Sequence, residues 1–100
     1  MRIISRKPLR DFIMTHPQAK NPVESWYKET KHAQWENFAE IRAQYRHADV
    51  VAGNRVIFNL GGNKYRLVVK VAYKTKSIYV KFIGTHATYD KIDPITVELK

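Results

Sequence analysis

Between Thr85 and Lys91 the chain reads Thr-His-Ala-Thr-Tyr-Asp-Lys, bringing an imidazole, a phenol, a carboxylate and an ammonium into a short run. Those groups suit one reaction in particular. RNA is cut without a metal when the ribose 2′-hydroxyl attacks its own phosphate. That step needs a base for the hydroxyl, cations for the charge developing on phosphorus, and an acid for the leaving 5′-oxygen. An imidazole moves protons near neutrality, which suits His86 to this work. Arg66 offers a bidentate fork for a phosphate, and Lys70 a point charge on the same strand. Tyr89 offers a ring to stack on a base, or an O–H to donate. Each residue also has an ordinary reading. A lone histidine after a strand is more often a structural hydrogen-bonder, and Asp90 also reads as a simple turn cap. His16, His32 and His47 look incidental, and no His, Asp or Glu spacing suggests metal ligands or any cofactor.

The elements that must position these groups lie in residues 55–92. Arg55–Leu60, Tyr65–Lys74 and Ser77–Gly84 read as three strands. Side chains alternate across a strand, so Arg66, Lys70 and Lys74 project together, opposite Tyr65, Leu67, Val69, Val71 and Tyr73. In the third strand Ile78, Val80 and Phe82 are expected on one face, with Tyr79, Lys81 and Ile83 on the other. In the first, Val56, Phe58 and Leu60 oppose Arg55, Ile57 and Asn59. Joined in one sheet, these strands place Arg55, Arg66, Lys70, Lys74 and Lys81 on a common cationic surface. Gly61-Gly62-Asn63 and Lys74-Thr75-Lys76-Ser77 are the expected hairpin turns.

Upstream, Arg2–Ser5 is a short candidate strand, and Ser5 with Pro8 marks a helix start. Leu9, Phe12 and Ile13 follow at helical spacing until Pro17. Asn21, Pro22 and Glu24 read as a second start, with Asn21 as cap. Helical periodicity then runs to about Arg46, with a bend or break near Gln34. Trp26 and Trp35 fall within amphipathic periodicity and belong to the core, where each indole N–H needs a partner. His47–Asn54 reads as a loop, and Ile95–Leu99 as an edge strand or a tail. The expected fold is α+β, order β-α-α-β-β-β, with two helices on one face of a mainly antiparallel sheet in a single domain spanning 1–100. The other sheet face has no sequence left to cover it.

Charge agrees with an anionic partner. The 100 residues carry a formal net charge of +9. Bases outnumber acids five to one in residues 1–20 and nine to four in 49–100, but balance at four each in 21–48. The helical middle is thus ordinary surface, and the excess sits with the strands. The absence of cysteine excludes disulfide scaffolds and thiolate zinc sites. No apolar run approaches a membrane span, and the N-terminus lacks a signal-peptide core, so a cytoplasmic protein without membrane contact is expected.

Three stretches carry a family resemblance: Arg55-Val56-Ile57-Phe58-Asn59-Leu60, Gly62-Asn63-Lys64-Tyr65-Arg66-Leu67-Val68, and Thr85–Ile92. Together with Trp35…Phe38 and Ala48-Asp49 they resemble the HigB toxins of bacterial type II toxin–antitoxin systems, within the RelE-like superfamily. The resemblance covers nearly the whole chain. It implies a ribosome-dependent mRNA interferase acting in the 30S A site, silenced by a cognate helix-turn-helix antitoxin of the HigA type. It carries Asn63, Arg66, His86, Tyr89, Asp90 and Lys91 into the site. The expected catalytic set is therefore Arg66, Lys70, His86, Tyr89, Asp90 and Lys91. Arg55, Asn63, Lys64, Lys74 and Lys81 are the expected RNA contacts. The alternative is a non-catalytic module that blocks translation by occupying RNA or ribosome; a third reading is an inactive remnant that only binds a repressor.

Overall fold

A computed structural model describes residues 1–99. Strand β1 (Arg2–Ile4) leads to helix α1 (Lys7–Thr15) and, through a single 3-10 turn at Pro17–Ala19, to α2 (Lys20–His32) and α3 (Phe38–Gln44). Strands β2 (Asp49–Val51), β3 (Arg55–Leu60), β4 (Tyr65–Ala72) and β5 (Ser77–Thr85) follow, closed by the short helix α4 (His86–Tyr89). The sheet runs β1-β5-β4-β3-β2. β1 lies parallel to β5, and all other pairs are antiparallel. The α+β class holds, with three helices ahead of the main strands rather than two, one strand more than expected before β3, and a final helical turn.

Local chemistry explains each difference. Ser5 does not cap α1: it takes a left-handed backbone conformation at φ 77°, and Arg6 stands at the cap position without a side-chain bond. Asn21 does not cap α2, because the 3-10 turn delivers the chain into helix two residues earlier, at Lys20, with Ala19 at the cap position. Pro22 falls inside the first turn, where no helical acceptor awaits its missing N–H. The expected break is complete: Ala33 is extended and α3 restarts at Asn37. Asn37 Oδ1 accepts from the Glu40 backbone N–H at 3.0 Å, while the Glu40 carboxylate accepts from Glu36 N–H at 2.8 Å. Part of the expected 47–54 loop is β2. Its hairpin with β3 turns through Gly53 and Asn54, both at positive φ.

The core lies between the helices and one sheet face. Val23, Trp26 and Ile41 from the helices meet Val56, Phe58, Leu67, Val69, Val71 and Ile78 from the strands. The Phe58 ring is the hub, with centroids 5.4 Å from Trp26, 6.2 Å from Trp35 and 5.1 Å from Tyr45. Burial of each such side chain is worth about 1.5–3 kcal/mol. Trp35 donates to Gln44 Oε1 at 3.1 Å, whereas the buried Trp26 N–H has no partner among the described residues.

Residues directly opposite in paired strands share a face, so the register fixes the other side. Three rows cross it: Asn59, Arg66 and Gly84; then Asp49, Ile57, Val68 and Phe82; then Val51, Arg55, Lys70 and Tyr79. The expected alternation in β5 fails at one point. Val68 pairs with Phe82 but Val69 pairs with Val80, leaving Lys81 as the extra residue of a β-bulge. Beyond the bulge the facing inverts. Phe82 therefore turns to the cationic side, and Ile83, not Phe82, packs against the core.

That second face is not bare, contrary to the sequence expectation. After Asp93 the chain forms a turn, with Ile95 N–H donating to Asp93 Oδ1 and Val97 N–H to Asp93 O, both at 2.9 Å. The segment then crosses the sheet as neither strand nor helix. Beneath this side Val68 is fully buried and Ile57 nearly so. Among the described residues no helix is long and apolar enough to cross a membrane.

Candidate active site

The end of the sheet where β4 begins and β5 ends gathers most of the chemistry-bearing residues. Gly84 makes the geometry possible. A Cβ built there would come within 2.5 Å of both Phe82 Cζ and Thr88 Oγ1. Without one, the chain folds back directly after β5, and α4 seats against the sheet. Thr85 caps α4, its hydroxyl accepting from Thr88 N–H at 3.2 Å. The His86 backbone N–H donates to Lys64 O at 3.0 Å, which ties α4 to the β3–β4 hairpin. That hairpin turns through Gly61, Gly62 and Asn63, all at positive φ.

Arg66 is then held from two sides. Its Nη1 donates to Asn63 O at 3.2 Å, and its guanidinium carbon lies 5.7 Å from the centroid of the Tyr89 ring. Tyr89 packs in turn on Phe82, ring centroids 6.3 Å apart, a contact that exists only because the bulge rotated Phe82 to this side. Burial raises the Tyr89 phenol above its usual range; Arg66 opposes the shift, and Asp49 and Asp90 add to it. The phenol therefore stays a neutral O–H donor at physiological pH. Along α4, His86 Nδ1 lies 3.2 Å from Asp90 Oδ2, one helical turn apart, with both side chains more than half exposed. A carboxylate there fixes the ring and leaves Nε2 free to exchange a proton with a substrate.

The structure thus brings together Arg66, His86, Tyr89 and Asp90, with Asn63 and Lys64 contributing backbone carbonyls that hold Arg66 and α4. Lys91 is exposed immediately after α4. Four expected cations are placed elsewhere. Lys70 is exposed on the same face but four residues along β4 from Arg66, about 13 Å at strand rise, too far to share one phosphate. Lys74 sits farther still, in the β4–β5 turn. Arg55 is only 7% exposed, because it donates to Pro94 O at 3.1 Å and Val97 O at 2.7 Å and pairs with Glu98. Lys81, on the bulge, pairs with the same carboxylate at 2.8 Å. The expected open cationic surface is interrupted where the C-terminal segment lies.

Two residues near the site escaped the sequence reading. Gly84 looked like a strand residue; a glycine in a β-branched strand just before a polar cluster was the available signal. Asp49 was assigned to a loop, but as the first residue of β2 it faces the Arg66 side and acts on the Tyr89 phenol. Two concavities have none of Arg66, His86, Tyr89 and Asp90 in their walls. One is an α1–α2 groove lined by Arg6, Leu9, Ile13, Val23 and Tyr27, and the other lies beside Tyr45 and Phe58. The candidate site itself is open surface. Among the described residues no three His, Asp or Glu side chains converge as metal ligands would.

Over residues 19–92 the chain matches the family described as HigB toxin, the RelE-like toxic component of a toxin–antitoxin system. The chain belongs to the HigB toxin family. The match takes in all of β2–β5 and α4, and so every residue of the cluster. This HigB-family toxin is also similar to three curated proteins over almost its full length. It is 27% identical over 94 residues to the mRNA interferase HigB of Escherichia coli O6:H1, covering 92% of this chain and 91% of that one. It is 25% identical over 92 residues to the mRNA interferase toxin HigB of Escherichia coli K12, covering 90% and 88%. The mRNA interferase HigB of Shigella flexneri matches to the same extent. As a HigB-family member the chain is the toxic component of a toxin–antitoxin system.

Proposed function

We propose that this toxin is an mRNA interferase that inhibits translation by cutting mRNA on the ribosome. The observation that carries the reading is the meeting of Arg66, Tyr89 and the His86–Asp90 pair at one end of the sheet. In this mechanism Arg66 grips the scissile phosphate and takes up the charge that develops on it. The 2′-hydroxyl gives up its proton as its oxygen attacks phosphorus, and the 5′-oxygen leaves with a proton. His86, oriented by Asp90, serves one of these transfers. Tyr89 stacks on a neighbouring base or donates its O–H. Lys91 and Lys64 add positive charge at the rim.

An open, exposed site holds its substrate poorly by itself. Alignment of the mRNA in the 30S A site would supply the missing positioning, and orientation of reactants is worth several kcal/mol. The partner expected to silence the toxin is a helix-turn-helix antitoxin of the HigA type, and the place of action the cytoplasm. The test is cleavage of ribosome-bound mRNA in vitro, with 5′ ends mapped for the wild type, Arg66→Ala and His86→Ala. Cleavage by the wild type that falls steeply in both variants is the expected result. Translation arrest by a wild type that leaves the mRNA intact would mean that the toxin acts by occupancy alone.

A further inference from the structure

The polar hold of the C-terminal segment on the sheet rests on two cations. Among the described residues, its side-chain hydrogen bonds and ion pairs to the rest of the chain all run to Arg55 and Lys81. These two stand on β3 and β5, on either side of β4, and the Glu98 carboxylate bridges them. The exposed Lys70 lies between them in the register, opposite Arg55 on one side and Tyr79 on the other. A guanidinium and an ammonium converging on one anionic group is the arrangement that binds a phosphate. The anionic group here is internal. It belongs to a segment without regular structure that keeps Ile95 and Leu99 in solvent and lies just beyond residue 92, where the family match ends.

We propose that Arg55 and Lys81, with Lys70 beside them, form a second phosphate site for the RNA strand, and that Glu98 occupies it as an intramolecular competitor. The site shares a sheet face with Arg66, so a strand whose scissile phosphate rests on Arg66 continues along β4 toward it. Bound RNA displaces the Glu98 carboxylate and lifts the 94–98 segment. No bond is made or broken: one anion replaces another on the same cations. The inference rests on the RNA-directed reading above, but it concerns binding and not cleavage.

The experiment measures binding of a fluorescent single-stranded RNA 12-mer to the full-length protein across a salt series, for wild type, Glu98→Ala, and Glu98→Ala combined with Lys81→Ala. Removing the competitor is expected to tighten binding several-fold at low salt. It should also steepen the salt dependence, since each additional neutralised phosphate adds about 0.7 to the slope for a single strand. The added Lys81→Ala should reverse both changes. A Glu98→Asp variant, which keeps the competing charge, should bind as the wild type does. Unfolding midpoints measured alongside separate a misfolded variant from an informative one; if Glu98→Ala unfolds, Glu98→Gln takes its place. Unchanged or weaker RNA binding by a folded variant lacking the Glu98 charge would overturn the proposal and leave the segment as a fixed cover of the sheet. Cleavage is not read, so failure of the nuclease mechanism would leave this result standing, and the reverse.

Discussion

The Arg66 guanidinium lies 5.7 Å from the centre of the Tyr89 ring, with its Nη1 bound to the Asn63 carbonyl at 3.2 Å. A helix residue and a hairpin turn thus converge on one cation carried by a strand. The arrangement points the fork before any phosphate arrives, which matters because preorganised charge need not be reoriented during reaction.

Arg66→Ala is expected to lower cleavage of ribosome-bound mRNA by about 10²–10³-fold, the usual loss for one removed donor to the reacting oxygens. Arg66→Lys should recover only part of it, because an ammonium keeps the charge but not the fork. Tyr89→Phe should keep RNA affinity, and Tyr89→Ala should weaken it by about 1–3 kcal/mol, the worth of one stacked base. Single-turnover rates and binding isotherms measured in parallel check both. Because burial raises the phenol, loss of activity from Tyr89 ionisation should set in only above the ordinary tyrosine range.

The His86–Asp90 contact, 3.2 Å across one turn of α4, predicts unequal losses. His86→Ala should cost about 10²–10⁴-fold in rate, the range for a positioned acid or base. Asp90→Asn should cost less and mainly alter the pH–rate profile, since it removes orientation and charge but leaves the imidazole. A profile for His86→Ala with the same inflections as the wild type would show that another group moves the proton.

Gly84→Ala is the strongest test of how the site is assembled. The added methyl would meet Phe82 Cζ and Thr88 Oγ1 at 2.5 Å, so the aromatic ring or α4 must shift. Overpacking of this kind costs about 1–3 kcal/mol. Folding should survive, but His86 and Tyr89 would leave their positions, so cleavage should fall far more than the shift in unfolding midpoint implies.

Glu98 gives a pH dependence of definite sign. Hydrogen bonds from Lys81, then from Arg55, hold its carboxyl below the usual glutamate range. The ionised form is favoured in the folded protein, so the contact stabilises the fold above the ordinary glutamate pKa. That contribution disappears as pH falls through the depressed value. The difference in melting temperature between wild type and Glu98→Ala should be constant near neutrality and close on acidification. A gap that widens toward low pH would contradict the assignment.

Much of this was legible in the residues. Strict alternation in Tyr65–Ala72 determined which side chains of β4 face the helices, and Gly61-Gly62-Asn63 determined its hairpin with β3. The run from Thr85 to Lys91 displayed the protonatable groups of the cluster, but not the helical turn that sets His86 beside Asp90. The net charge pointed to an anionic partner before any fold was known. Local order of this kind depends on neighbours in sequence, and periodicity reads it.

Relations between distant segments are different. Nothing in Ser77–Thr85 announces the bulge at Lys81, because a bulge is a mismatch between two strands and exists only once they pair. That single extra residue inverted the facing of Phe82 and so decided whether Tyr89 had a ring to pack on. Likewise Arg55 reads as a free cation until Pro94, Val97 and Glu98, some forty positions away, close over it. The chain by itself determined which groups are present and which way each isolated strand alternates. Which of them meet, and which are already taken, was decided by tertiary pairing, since a side chain's partners follow from distance in space and not along the chain.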